Sequence, residues 1–195
     1  MKPTFAIAAL LALSQSAMSQ GSPPLEIKDI RIGESTLSEA RIKFPGDKQT
    51  EEVIFSPQTF AIIQCGGRGT DCRSKTEDPF RLAGVLPTIY IFHAVEGMIE
   101  GIYVAFSKSG FLAIRDALVV KYGEPTETKT EEWKSRAGAS FQGQVLTWAR
   151  SGGEIRVTEL GGRIDESRLT MQSPKYKAWV VETAKKKAQA GAKNL

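Results

Sequence analysis

The stretch 88–106 constrains the fold more than any other part of the chain. Thr88–Val95 and Met98–Phe106 are both rich in Ile, Val, Tyr and Phe, and only Glu96-Gly97 separates them. Such residues favour extended chain, and a two-residue connection with Gly in second place suits a tight hairpin turn. A helical pattern follows within 107–122. Phe111, Ile114, Leu118 and Tyr122 mark one face, with Leu112 and Val119 widening it. Ser109 is the expected N-cap, Gly123 the residue that ends the helix, and Pro125 lies just beyond. A sheet with one apolar face beside a helix with one apolar stripe predicts that the helix covers the sheet.

The same order occurs earlier in weaker form. IRIGESTLSEARIKFPG, from Ile30, reads strand, turn, helix, aromatic-Pro-Gly; IYVAFSKSGFLAIRDALVVKYGEP, from Ile102, reads strand, turn, helix, aromatic-Gly-x-Pro. In the first copy Ile27–Ile32 is the expected strand. Thr36 and Glu39 have capping-box spacing, Leu37, Ala40 and Phe44 share a helical face, and Pro45-Gly46 ends it. Val53–Phe55 and Phe60–Cys65 then predict an antiparallel pair around Ser56-Pro57-Gln58, and Arg81–Val85 a short run. After the second helix, strands are expected near 130–134, 144–149, 154–160 and 168–172. Gly152-Gly153 makes one hairpin and Gly161-Gly162 another turn. Trp133 and Trp148 are expected to cover the sheet. His93 shares a strand face with Ile89 and Ile91, where a packing role is expected. Ser173-Pro174 opens a last helix with Tyr176, Trp179, Val180, Thr183 and Ala184 in a stripe that fades at Lys185-Lys186-Lys187; Ala188 onward is expected to fray. The predicted class is α+β: two helix-plus-antiparallel-sheet units packed together, with a C-terminal amphipathic helix. The predicted divisions are 26–95, 96–173 and a basic helix and tail at 174–195.

The N-terminus predicts export. Lys2, the apolar run Phe5–Leu13 and the small residues Ala17-Met18-Ser19 form the three-part pattern of a signal peptide over 1–19, with 20–25 (QGSPPL) as a linker. The apolar run is too short to span a bilayer, which takes about 20 residues. No cysteine stands at the cleavage site for lipid attachment. A single asparagine, Asn194, and the short signal fit a bacterial periplasmic or secreted protein. In an oxidising compartment Cys65 and Cys72 are expected to bridge around GGRGTD, presenting Arg68 and Asp71 at a loop tip. The spacing is not the C-x-x-C of a redox site.

Charge narrows the partners. Lys and Arg number 26 against 22 Asp and Glu, a net +4, but the segment from Pro174 onward carries six lysines and one acid, Glu182. With Lys2 also set aside, the body holds 19 basic and 21 acidic residues. The basic stripe with aromatics expected of a nucleic-acid binder is missing. The lysine tail, Lys185 to Lys187 above all, is a candidate contact for an anionic envelope surface.

On Gly33, Thr36, Phe44 and Pro45, and again on Tyr122, Gly123 and Pro125, the chain resembles small exported bacterial α+β proteins. These are the outer-membrane-assembly lipoproteins and the β-lactamase-inhibitor-like fold. The resemblance spans about 26–172 and implies a protein-binding module; it carries over no catalytic residue. Catalytic motifs are missing too: no G-x-S-x-G, phosphate loop, G-x-G-x-x-G or H-E-x-x-H occurs. Glu51-Glu52 and Glu131-Glu132 are adjacent carboxylates that read as solvated surface. The expected function is an exported binding protein without catalytic residues, cofactor or metal, acting on an envelope or exported protein. The alternatives are an inhibitor of a lysozyme- or β-lactamase-type enzyme, or an envelope hydrolase.

Overall fold

The computed structural model describes residues 23–44, 50–56, 59–64, 81–134 and 138–192, with backbone alone for 50–56 and 60–64. The expected signal segment 1–19, Cys65, Cys72 and Arg68 lie outside the described residues.

The chain enters the fold through a small hairpin, β1 (Glu26–Ile27) and β2 (Ile30–Arg31), where a single strand over 27–32 was expected. Lys28 and Asp29 both take positive φ, 47° and 63°, which reverses the chain in two residues. The reversal sends the Ile27 and Ile30 side chains into the core together. Upstream of it Leu25 is buried, and the Tyr122 hydroxyl donates to the Pro24 carbonyl at 3.1 Å.

Helix α1 (Leu37–Lys43) starts as its sequence dictates. The Thr36 hydroxyl accepts from the Glu39 N–H, while the Glu39 carboxylate accepts from the Thr36 N–H at 2.8 Å. A cap of this kind contributes about 1 kcal/mol. Ala40 and Phe44 are fully buried, and the Phe44 ring packs on Tyr90 and Phe92 at 5.1 and 5.3 Å between centroids.

Among the described residues eight strands form one antiparallel sheet: β3 (Thr50–Ser56), β4 (Thr59–Gln64), β5 (Pro87–Val95), β6 (Met98–Ser107), β7 (Glu127–Lys134), β8 (Ser140–Arg150), β9 (Gly153–Thr158) and β10 (Glu166–Gln172). Their order is β3-β4-β5-β6-β10-β9-β8-β7. Four strands follow α1, and four follow α2 (Phe111–Tyr122). The two sets meet where the last strand of each, β6 and β10, pair from Ser107↔Glu166 to Gly101↔Gln172. The fold is α+β, and its two halves share one continuous sheet.

Register decides which side is the core. Phe92 lies opposite Ile102, Ile102 opposite Met171, Met171 opposite Ile155, and Ile155 opposite Trp148, so one face is apolar across five strands. Helix α1, α2 and the β1–β2 hairpin contribute to the same buried cluster. Phe111, Ile114, Leu118 and Tyr122 are buried on α2 as the spacing predicts, and Val119 packs against the core. Leu112, expected in the stripe, is instead 56% exposed. Ser109 is not the N-cap. The chain makes a 3-10 turn at Lys108–Gly110, Gly110 caps α2 without a side chain, and Ser109 Oγ meets Ser107 Oγ at 3.0 Å. At the other end the Trp148 indole N–H donates to the Gly123 carbonyl at 2.7 Å, and Arg150 donates to the Tyr122 carbonyl. Side chains of β8 thus satisfy carbonyls at the end of α2 that have no helical partner.

Helix α3 (Pro174–Ala192) is placed by a bulge. His93 pairs with Gly101 and Ala94 with Ile99, leaving Glu100 as the extra residue. Its carbonyl accepts from Ser173 N–H at 2.9 Å, and Ser173 Oγ caps α3 by accepting from Tyr176 N–H at 3.0 Å. The helix continues to Ala192, beyond the fraying expected from Ala188. Among the described residues no helix is long and apolar enough to cross a membrane.

Candidate functional site

The second face of the sheet is the candidate site. Strand alternation puts Ile89, Ile91 and His93 of β5 there, with Gly101, Tyr103 and Ala105 of β6. Arg168 and Thr170 of β10, Arg156 of β9, Phe141 and Gly143 of β8, and Glu131 and Trp133 of β7 share that side. Two features cover it in part.

The first is α3, which packs on β5 and β6 through its opening turns. Tyr176 is the buried residue of this helix and lies flat over Gly101, where a Cβ would come within 3.1 Å of its ring. A larger residue at 101 would lift the helix. Tyr176 also stacks on His93 at 5.1 Å and on Trp179 at 5.7 Å. Burial lowers the His93 pKa below 6.5 and raises that of Tyr176. His93 Nδ1 lies 3.4 Å from Thr59 Oγ1, and no carboxylate is hydrogen-bonded to the imidazole among the described residues. The ring is a packing element between sheet and helix, as its strand position predicted. Val180, expected in the docking stripe, is 42% exposed. The docked stripe is Tyr176, Trp179 and Thr183. Lys185, Lys186 and Lys187 follow on exposed turns, Lys186 bonded to Glu182 at 2.7 Å.

The second cover is the β9–β10 loop, 159–165. Glu159 ties it to β8: its carboxylate accepts from Gln144 N–H at 3.0 Å, its own N–H donates to the Gln144 carbonyl, and Lys108 pairs with it at 3.2 Å. The Gln144 N–H, then Lys108, holds the Glu159 carboxyl below its usual pKa. Leu160 folds back over Gly143 and is 2% exposed. Between this loop and the end of the β7–β8 pair lies a groove of about 510 Å³, lined by Trp133, Phe141, Leu160 and Ile164 among others. The Trp133 Nε1–H is shielded from water and has no hydrogen-bond acceptor. Such a donor costs about 1–3 kcal/mol relative to a satisfied one.

Arg168 stands between the two covers. It donates to the Gly161 carbonyl, and its guanidinium lies over the Tyr103 ring at 5.0 Å from the centroid. Its Nε is buried without a hydrogen-bond partner, and among the described residues no carboxylate forms an ion pair with it. Arg156, by contrast, is bonded to Glu131 at 2.8 Å.

The sequence reading missed this arrangement. Trp133 and Trp148 do not cover the sheet together: Trp148 is in the core beneath α2, while Trp133 is on the opposite face. Glu131 and Glu132 alternate across the strand and do not converge. The alternation of β10, with Ser167, Leu169 and Met171 buried and Arg168 and Thr170 half-buried, is the pattern from which Arg168 could have been singled out. Among the described residues no group of three or more His, Cys, Asp or Glu could hold a metal ion. Comparison with known proteins gives no match: no family model, curated protein or solved structure is similar to the chain.

Proposed function

We propose that this chain is an exported binding protein, periplasmic or secreted, that holds an envelope or exported protein against the second face of its sheet. One observation carries the reading. Helices and the β1–β2 hairpin bury one face across β5, β6, β10, β9 and the Leu146–Trp148 part of β8, whereas the other keeps Tyr103, Arg168, Trp133 and Phe141 half-buried and only partly covered. Tyr, Trp and Arg are the residue types that dominate binding energy at protein interfaces, because each combines large apolar area with a polar donor. The resemblance to exported protein-binding folds agrees with this reading. The exposed lysines at 185–187 support a second, weaker contact with an anionic envelope surface, which salt should abolish.

The test is capture from the envelope of the producing cell by immobilised protein. Thr170→Arg, in the middle of the proposed surface, should abolish a capture that Val120→Arg leaves intact, since Val120 is 88% exposed on α2 on the other side. Equal capture by both variants would refute the assignment of the face. If the captured protein is an enzyme, stoichiometric loss of its activity would make the chain an inhibitor.

A further inference from the structure

We infer that the groove beside Trp133 anchors an acidic segment of the partner: an apolar side chain enters the groove, and a neighbouring carboxylate meets Arg168. The inference rests on the binding-protein reading and adds the chemistry of what is bound.

Two observations converge on it. The groove is walled by aromatic and aliphatic groups, Trp133, Phe141, Leu160 and Ile164, and has room for a large side chain with adjoining backbone. The adjacent cation has no counter-charge among the described residues. Arg168 reaches the Gly161 carbonyl, and a Cβ at Gly162, which lines the groove, would lie 3.2 Å from its Nη2. Among the described cations nearby, Arg163 is paired with Asp165 at 3.1 Å and Arg156 with Glu131, while Lys134 stands exposed on the groove lining. Arg168 and Lys134 are therefore the charges that an anionic partner can neutralise. The position of Arg168 over Tyr103 presents the guanidinium beside an apolar surface, where a carboxylate contact is stronger than in open water.

Two other hollows carry less. The hollow beneath β1–β2 and α2 is about 150 Å³ and lined mainly by core side chains. The one at the start of α2 is spanned by the Lys108–Glu159 pair.

Panning a random displayed peptide library on the purified chain tests the inference. Enriched peptides are then measured by fluorescence anisotropy against wild type, Arg168→Gln and Ile164→Arg. Ile164 is a 53% exposed rim residue, so its replacement blocks the groove without disturbing the core. Enriched peptides should pair Asp or Glu with a large apolar neighbour. Arg168→Gln should weaken them roughly tenfold, the scale of one charge-assisted hydrogen bond. Ile164→Arg should abolish binding. No enrichment, enrichment without acidic residues, or affinities unchanged by Ile164→Arg would each overturn it. Envelope capture that depends on Thr170 but not on Ile164 would leave the binding-protein reading standing and remove the groove from it.

Discussion

Replacing Gly143 by Ala tests whether Leu160 sets the wall of the groove. An added Cβ would sit 2.6 Å from Leu160 Cγ and 3.0 Å from its Cδ1. Carbon atoms rest at about 3.5–4.0 Å, so Leu160 has to withdraw by about 1 Å. It cannot do so freely. It is 2% exposed, and its neighbours are held by the Gln144–Glu159 bonds and by Gly161 N–H on the Glu166 carbonyl at 2.7 Å. Overpacking of this kind costs about 1–3 kcal/mol. Against that, Ala in a strand gains about 0.5–1 kcal/mol over Gly. The expected net loss is therefore about 1–2 kcal/mol. In a Leu160→Ala background the clashing atoms are gone, and Gly143→Ala should become stabilising by about 0.5–1 kcal/mol. Leu160→Ala alone should cost about 2–4 kcal/mol. Urea unfolding of the four proteins, followed by far-ultraviolet circular dichroism, gives the cycle. The expected coupling is about 2 kcal/mol with reversal of sign. The same effect of Gly143→Ala in both backgrounds would refute the packing of Leu160 on β8.

Two further outcomes follow from other parts of the structure. Trp148→Phe removes a fully buried indole and strands the Gly123 carbonyl, so urea unfolding should show a loss of about 2–3 kcal/mol; a loss below about 0.5 kcal/mol would contradict the link between β8 and the end of α2. His93 should make stability depend on pH. Its folded pKa lies below the ordinary 6.5 because burial disfavours the charged ring, so the unfolded chain binds the proton first. The contribution of neutral His93 is whole above pH 6.5, declines as pH falls below that value, and stops declining below the folded pKa. Comparing urea midpoints of wild type and His93→Phe across this range should show the extra slope in wild type alone; parallel curves would contradict a buried, neutral His93.

Local chemistry carried most of the fold. Glu96 and Gly97 take φ of 53° and 86°, the turn that a two-residue connection ending in Gly predicts. The Thr36–Glu39 capping box formed because both partners lie within four residues of one another. Where the reading of single elements failed, local backbone geometry overrode residue type. Ser109 has good capping chemistry, but its hydroxyl is bonded to Ser107 and the 3-10 turn moves the cap to Gly110. The Ile27–Ile32 pattern did not reveal that Lys28 and Asp29 both adopt positive φ, since neither is Gly or Asn. The candidate site was harder still. Its groove joins β7, β8 and the 159–165 loop, and its cation comes from β10. Periodicity shows which face of a strand a residue takes, but not which residues of separate strands become neighbours. Arg168, Tyr103 and Trp133 acquire meaning only through the order β6-β10-β9-β8-β7.

The central assignment is the identity of the binding face, and contact with the partner in the living cell tests it most directly. A photo-crosslinking residue placed at Thr170, on the second face, or at Val120, on the helix-covered side, is irradiated in the producing cell, and adducts are resolved by denaturing electrophoresis. A discrete adduct from position 170 and none from 120 is the predicted result. Adducts from 120 alone, or from neither position, would contradict the account.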